Sequence, residues 1–333
     1  MASAASPKWY PLIVLVLCAV AGLGAVAMLR PPSPVAPVVD EGKAEAAAPR
    51  YAEIPFDGAS AMAHLESLCK IGPRPSGSEG MRVQQDALEK YFTGLGAKVV
   101  RQKFQARHPL DGSAVELANL IISWNPDSRE RFLLCAHYDT RPFPDRDPVN
   151  PRGKFVGAND GAAGTAILME LGRHMAALKS RRGVDFVLFD GEELVFSERD
   201  RYFLGSEYFA QNYRADPPTH RYRQGVLLDL VGDKDLHLPQ EQYSVRYAPA
   251  VVGDVWGIAR RLNVAEFHQV LGQAVRDDHL PLNEIAHIPT ADIIDFDYPH
   301  WHTEGDLPDK CSAGSLEKVG RVVHEWLRVV VQR

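Results

Sequence analysis

The amino-acid sequence predicts an α/β fold, a single globular domain with a mostly parallel central sheet covered by helices on both faces. Short apolar runs typical of buried strands alternate with segments in which apolar residues recur at helical spacing. Acidic and histidine residues follow several of these runs directly, as expected where parallel strands end at a ligand site. An uncharged run from Tyr10 to Leu29 predicts a membrane-spanning helix ahead of the domain.

The N-terminal region divides into three parts. Residues 1–9 form a short flank, and residues 10–30 are predicted to be a transmembrane anchor or a signal sequence, because about 20 apolar residues suffice to cross a bilayer. The small residues Ala25-Val26-Ala27 resemble a cleavage site, so removal of this segment stays open. Residues 31–50 are rich in proline and alanine and predict an extended linker. We therefore expect residues 51–333 to be outside the cytoplasm, either membrane-anchored or secreted.

Residues 51–333 contain no internal repeat and no second linker, which predicts one domain. Buried strands are predicted at 131–136 and 184–189, and residues 133–136 are apolar on both faces, as in the central strands of a parallel sheet. Strands at 98–105 and 115–123 are expected to be neighbours. The remaining predicted elements are helices at 59–69, 78–92, 162–178, 205–213, 248–262 and 315–331, and strands at 226–231 and 288–294.

Composition narrows the range of partners. The chain has a formal net charge of −6, so it lacks the basic character of a nucleic-acid-binding protein. A carboxylate excess suits metal ions or substrates that carry an amine. We expect a monomeric catalytic domain without a nucleic-acid partner.

A set of acidic and histidine side chains lies at predicted strand ends or in the following loops. Zinc binds imidazole nitrogen and carboxylate oxygen, and a catalytic zinc site leaves one position open. A carboxylate beside a ligand can then exchange protons with the substrate. The candidate residues are His137, Asp160, Glu192, Glu193, Asp229 and His302.

Each candidate also has a structural interpretation. His137 could be a hydrogen-bonded structural histidine, and Asp160 could cap the helix that follows it. Glu192 and Glu193 could form a solvated loop pair. Asp229 is harder to explain as a purely structural residue, because burying a carboxylate without a partner costs several kcal/mol. The joint occurrence of these residues favours a metal site.

Six motifs resemble, in the same order, those of the zinc aminopeptidase superfamily, and the resemblance covers roughly residues 55–330. This superfamily includes the animal-type glutaminyl-peptide cyclotransferases, or glutaminyl cyclases. The resemblance implies a zinc aminopeptidase-like fold. The motifs are Cys135-Ala-His137-Tyr-Asp139, Gly157-Ala-Asn-Asp160-Gly161, Phe189-Asp-Gly-Glu192-Glu193, Gly205-Ser206, Leu228-Asp229-Leu230-Val-Gly232 and Trp301-His302-Thr303.

Details of the motifs favour the cyclase branch. Three motifs resemble the forms found in cyclases: Asp277-Asp278-His279, Trp301-His302-Thr303 and the sequence Phe-Asp-Gly-Glu-Glu that contains the acidic pair. Two departures speak against it. The pocket tryptophan expected a few residues after the acidic pair is missing, and Thr165 stands where the cyclases' short-range disulfide would have its second cysteine.

The cyclase resemblance implies conversion of N-terminal glutamine to pyroglutamate, with loss of ammonia and one zinc. The zinc ligands would be Asp160, Glu193 and His302. Glu192 would transfer the proton, assisted by two catalytic carboxylates that hydrogen-bond the amine or the leaving group. The substrate is the N-terminus of a peptide or protein. The two assisting carboxylates are Asp229 and Asp277, and Trp301 would line the substrate pocket.

The superfamily resemblance leaves two alternatives. In a two-zinc aminopeptidase, His137 and Asp229 would hold a second zinc that shares Asp160, and Glu192 would activate water. In a non-catalytic membrane-tethered ectodomain some ligand positions would be lost, yet every one is filled here. The number of zinc ions separates the first two functions, with one expected for a cyclase and two for an aminopeptidase.

Overall fold

The computed structural model describes residues 54–330, which belong to one compact unit. The predicted flank, membrane segment and linker, residues 1–9, 10–30 and 31–50, lie outside the described residues. Among the helices within 54–330, none combines the length and apolar character needed to cross a bilayer.

The central sheet has six strands in the order β1-β2-β4-β3-β5-β8. Strands β4, β3, β5 and β8 are parallel to one another. β2 pairs with β4 in antiparallel orientation, and β1 pairs with β2 in the same way. The mostly parallel sheet and the pairing of the first two strands are therefore as predicted. The strands are β1 (Lys98–Arg107), β2 (Ala114–Trp124), β3 (Glu130–His137), β4 (Gly183–Phe189), β5 (Arg221–Asp229), β6 (Leu238–Gln240), β7 (Phe267–Leu271) and β8 (Thr290–Ile294).

Helices begin where side chains can cap them. Asp57 Oδ1 accepts the amides of Ala59 and Ser60 at 2.9 and 3.1 Å, and Ser78 Oγ accepts that of Met81 at 3.1 Å. The α-helices are α1 (Gly58–Cys69), α2 (Glu79–Gly94), α3 (Gly164–Gly172), α4 (Met175–Leu178), α5 (Leu204–Ala215), α6 (Gln242–Tyr247), α7 (Pro249–Arg261), α8 (His279–Glu284) and α9 (Ala313–Val330).

Alternation along β3 shows how the sheet is covered on both faces. Leu134 and Ala136 belong to the apolar cluster that includes residues of α1, α3, α7 and α9. Leu133 and Cys135, which point to the opposite face, pack with residues of α5 and α8. Both faces are therefore buried, as predicted for these apolar strands.

The predicted helix at 162–178 is wrong in its continuity. Asp160 and Gly161 have non-helical backbone angles inside a π-helical turn at Ala158–Ala163, and α3 begins only at Gly164. α3 ends before Arg173 and His174, whose side chains contact Glu170 at 2.9 and 3.0 Å, and α4 follows as a separate turn. The strands β6 and β7, paired in a small second sheet, and the helices α6 and α8 were not predicted.

Candidate metal centre

The candidate site lies at the carboxyl ends of the parallel strands. β3 ends at His137, β4 is followed by Glu192 and Glu193, and β5 ends at Asp229. The loop after β8 supplies His302. Because parallel strands end at the same edge of a sheet, residues far apart in sequence come together there.

Asp160, Glu193 and His302 converge on one point. His302 Nε2 lies 3.6 Å from Asp160 Oδ2 and 3.4 Å from Glu193 Oε1, and all three side chains are buried. His302 Nε2 and Asp160 Oδ2 have no hydrogen-bond partner among the described residues. Two carboxylates and an imidazole whose ligand atoms converge, two of them without a hydrogen-bond partner among the described residues, fit a three-ligand zinc site with an open fourth position.

A second group shares Asp160. His137 Nε2 lies 3.2 Å from Asp160 Oδ1 and 3.1 Å from Asp229 Oδ1. Burial alone would lower the pKa of His137, but contacts with Asp139, Asp160 and Asp229 raise it well above its usual value. The group therefore attracts a positive charge, whether a proton on His137 or a second metal ion.

Asp160 is positioned by its own backbone and by Asp306. The Asp306 carboxylate accepts the amides of Asn159 at 2.8 Å and Asp160 at 3.1 Å, and the Tyr298 hydroxyl donates to it at 2.7 Å. Gly161 has φ 95°, and a Cβ there would lie 2.6 Å from the carbonyl oxygen of Asp139. Only glycine therefore allows the chain to turn so that Asp160 points into the site.

Glu193 is held by two partners that the sequence analysis did not identify. Its amide donates to Asp139 Oδ2 at 2.9 Å, and Arg141 Nη1 contacts its two carboxylate oxygens at 3.0 and 3.2 Å. Burial alone would raise the pKa of Glu193, but His302 and Arg141 hold it well below its usual value. Glu193 is thus charged at neutral pH, which suits a metal ligand.

Glu192 has the opposite electrostatic environment. Burial, followed by the charge of neighbouring Glu193, raises the pKa of Glu192 well above its usual value. Its Oε2 lies 3.9 Å from His137 Nδ1, and the residue is 9% exposed. A buried carboxyl group with a raised pKa can exchange a proton near neutral pH. The adjacent glutamates therefore suit different roles, one as a ligand and one as a proton carrier.

A cavity of about 640 Å³ opens onto both groups. Trp301 and Phe296, with ring centroids 4.8 Å apart, line it together with Tyr202 and Phe203. The cyclase resemblance places a pocket tryptophan a few residues after the acidic pair. In this chain the segment after that pair instead contributes Tyr202 and Phe203 to the cavity. A larger groove of about 920 Å³ beside β1 and α5 contains none of the candidate ligands.

Asp277 also lines the cavity, as expected from its motif. Burial and the charge of Asp229 raise the pKa of Asp277 well above its usual value, so it can donate a hydrogen bond as a neutral acid. Its neighbours point into the protein: Asp278 Oδ1 accepts the Ser206 hydroxyl at 2.5 Å, and His279 Nε2 lies 3.3 Å from Glu241. Of the three motif residues, Asp277 alone lines this cavity.

Residues 119–327 match peptidase family M28, so this chain belongs to that family. The structure of Fimbriiglobus ruber glutaminyl cyclase is 44% identical, covers 84% of this chain and 97% of that chain, and gives a TM-score of 0.81. A leucine aminopeptidase precursor from Bacteroides thetaiotaomicron is 31% identical, with coverages of 83% and 98% and a TM-score of 0.76. Glutaminyl-peptide cyclotransferase of Drosophila melanogaster is 25% identical, over 81% of this chain and 80% of that protein.

These similarities confirm the predicted resemblance to the glutaminyl cyclase branch of the zinc aminopeptidase superfamily. Similar proteins are described as glutaminyl cyclases, as a leucine aminopeptidase precursor and, in two cases, as a zinc-dependent or putative zinc-dependent exopeptidase, which supports an enzymatic function for this chain.

Proposed function

We propose that this protein is a zinc-dependent glutaminyl-peptide cyclotransferase that converts the N-terminal glutamine of peptides or proteins to pyroglutamate. The observation that carries the proposal is the shared cavity. Glu192, Asp277 and Trp301, which the cyclase resemblance assigns to catalysis and substrate binding, line the same space as Asp160, Glu193 and His302. The 44% identity to a glutaminyl cyclase over nearly its whole length supports the same branch.

In this proposal Asp160, Glu193 and His302 hold one zinc ion, which supplies Lewis-acid polarisation of the substrate's γ-amide carbonyl. The reacting groups belong to the same glutamine residue, so cyclisation needs only the correct orientation of the substrate. Trp301 supports that orientation by forming a wall of the cavity.

The chain's own residues move the proton. As the α-amine nitrogen forms its bond to the carbonyl carbon of the side-chain amide, Cδ of the glutamine, Glu192 accepts one of its protons. The bond from this carbon to the amide nitrogen then breaks, and Glu192 donates the proton to that nitrogen, which leaves as ammonia. Asp229 and Asp277, which line the cavity, hydrogen-bond the amine or the departing nitrogen. Burial and the charge of Glu193 also favour the protonated form of Glu192 between the two transfers.

A two-zinc aminopeptidase is the second candidate. It is favoured by the group of His137, Asp160 and Asp229, whose ligand atoms lie within 4.8 Å of one another, and by the similarity to a leucine aminopeptidase precursor. In that function Glu192 would deprotonate a water molecule for attack on the first peptide bond.

One assay separates the two functions. The purified full chain, supplied with zinc, is incubated with one peptide that begins with glutamine and one that begins with leucine, and the products are followed by mass spectrometry. Loss of ammonia from the first peptide, with the second unchanged, is the expected result. Release of free leucine would instead identify an aminopeptidase, and unchanged peptides would favour the non-catalytic alternative.

We also propose that the catalytic domain, residues 51–333, works as a monomer outside the cytoplasm. The support is the uncharged run within residues 10–30, which suits a membrane anchor or a cleaved signal sequence, and the linker at 31–50. Fractionation of cells expressing the full chain, with protease added from outside, tests the location of the domain.

A further inference from the structure

The loop that follows β3 lines the same cavity and contacts two of the three candidate zinc ligands. Arg141 Nη1 contacts both carboxylate oxygens of Glu193, and its Nη2 donates to Asp145 Oδ2 at 3.0 Å. Asp145 Oδ1 in turn lies 3.3 Å from His302 Nδ1, the ring nitrogen opposite the one that faces Asp160. The Arg141 guanidinium thus contacts Glu193, a candidate ligand, and also Asp145. Asp145 in turn contacts His302, the candidate imidazole ligand.

The same loop also fixes the backbone around His302. The amide of Arg146 donates to the carbonyl oxygen of His302 at 3.1 Å, and Asp147 Oδ2 accepts the amide of Glu304 at 2.9 Å. His302 has φ 57°, in the left-handed region that is unfavourable for a residue with a side chain. A conformation of this kind persists where surrounding contacts enforce it, and these contacts come from the loop.

Arg141 lines the cavity and lies 5.8 Å from the centre of the Tyr202 ring, and its charged partners are Glu193 and Asp145. Its side chain is 4% exposed, and burying a guanidinium is costly unless its charge is paired. Both of its carboxylate partners are connected to the candidate zinc site, one as a ligand and one through His302. A fork of planar donors can hold two carboxylates at fixed positions, which the single ammonium group of lysine cannot do.

We propose that Arg141 and Asp145 are positioning residues for zinc, which hold Glu193 and His302 in the orientation that the metal needs. The inference rests on the proposed zinc site and adds to it the residues that fix its ligands. Asp145 would keep the proton of His302 on Nδ1, so that Nε2 presents its lone pair to the ion. Arg141 would hold Glu193 and Asp145 together. Loss of such a partner typically weakens metal binding by roughly 10–100-fold.

The test measures zinc affinity of the full chain by competition with a chromophoric chelator, without reference to catalysis. Asp145→Asn and Arg141→Lys are each expected to weaken zinc binding by at least tenfold. The matched control is Arg131→Lys, because Arg131 forms a similarly buried pair with Asp185, at 2.7 and 2.5 Å, away from the candidate ligands. This variant should lose stability and keep the zinc affinity of the wild type.

The outcomes are separable. If the wild type binds zinc and both site variants match its affinity, the positioning role is refuted while the zinc site stands. If Arg141→Lys alone retains wild-type affinity, the charge of Arg141 suffices and its fork geometry is not needed, which overturns the role given to Arg141. A wild type that fails to bind zinc would refute the proposed function together with this inference. Circular dichroism of each variant confirms that differences in affinity do not reflect unfolding.

Discussion

Replacing Glu192 with glutamine tests the proposed proton carrier directly. Glutamine keeps the size of the side chain and removes its capacity to accept and return a proton. Glu192 is buried, and its pKa is raised by burial and by Glu193, which brings the carboxyl group towards the range where a general base is effective. Residues in this role contribute roughly 10²–10⁴-fold to the rate. We expect Glu192→Gln to lower kcat by about 10³-fold, which corresponds to about 4 kcal/mol in the activation free energy.

The assay follows ammonia release from a peptide that begins with glutamine, at saturating zinc. Glu192 belongs to neither group of candidate ligands, so the zinc affinity of the variant should equal that of the wild type. Glu116→Gln is the control, since Glu116 is an exposed residue of β2 paired with Lys103 at 2.9 Å. If Glu192→Gln binds zinc normally and retains more than a tenth of the wild-type kcat, Glu192 does not carry the proton. Asp277, which lines the same cavity, would then be the next candidate.

Three other perturbations test the site and the fold. Gly161 has a φ of 95°, so Gly161→Ala should destabilise the protein by about 2 kcal/mol and weaken zinc binding. The control is Gly253→Ala, in α7 with open space around it, which should stabilise the protein by about 0.5–1 kcal/mol. Urea unfolding measures both changes in stability. Burial lowers the pKa of His324 from 6.5 to about 4, so this residue contributes stability above pH 6.5 that is lost as the pH falls towards 4, about 3 kcal/mol in all. In the metal-free protein, His324→Leu should therefore flatten the dependence of the unfolding free energy on pH between 6.5 and 4. An unchanged slope would contradict the pKa shift. Trp301→Ala should raise KM for glutamine peptides roughly tenfold with little change in kcat, as expected for a wall of the cavity, and a loss confined to kcat would contradict that role.

The positions of the candidate ligands were predictable because they follow directly from the strands. Residues 133–136 of β3 and 186–189 of β4 are apolar on both faces, and this pattern identifies central strands without any knowledge of tertiary contacts. Once the sheet is parallel, the residues just beyond its strands must meet at one edge. His137, Glu193 and Asp229 needed no more information than that.

The groups that hold these ligands were not predictable in the same way. Arg141 and Asp145 lie in an irregular loop, and nothing in its composition shows that Arg141 will reach Glu193, 52 residues away in sequence. The interruption between α3 and α4 was missed because residues 162–178 have helical periodicity throughout. Strands β6 and β7 have three and five residues, too few for a period to emerge.

The number of zinc ions depends on how His137 is used, and the geometry suggests a test. Its Nε2 lies almost equally close to Asp160 and Asp229, at 3.2 and 3.1 Å, so one proton on Nε2 would satisfy both carboxylates without a second ion. In the proposed cyclase, His137→Gln should therefore still bind one zinc per chain, because the glutamine amide can donate to the same carboxylates. Metal analysis of the purified full chain measures this count.

A fall from two zinc ions to one in His137→Gln would instead assign His137 as a metal ligand and place the protein among the two-zinc aminopeptidases. Asp160→Asn is the matched control, since Asp160 belongs to both groups and its loss should weaken zinc binding in either function. The physical distinction is between a proton and a metal ion as the positive charge among the same carboxylates. A proton there leaves Asp229 available to hydrogen-bond the substrate amine, whereas a metal ion would bind Asp229 and commit Glu192 to activating water.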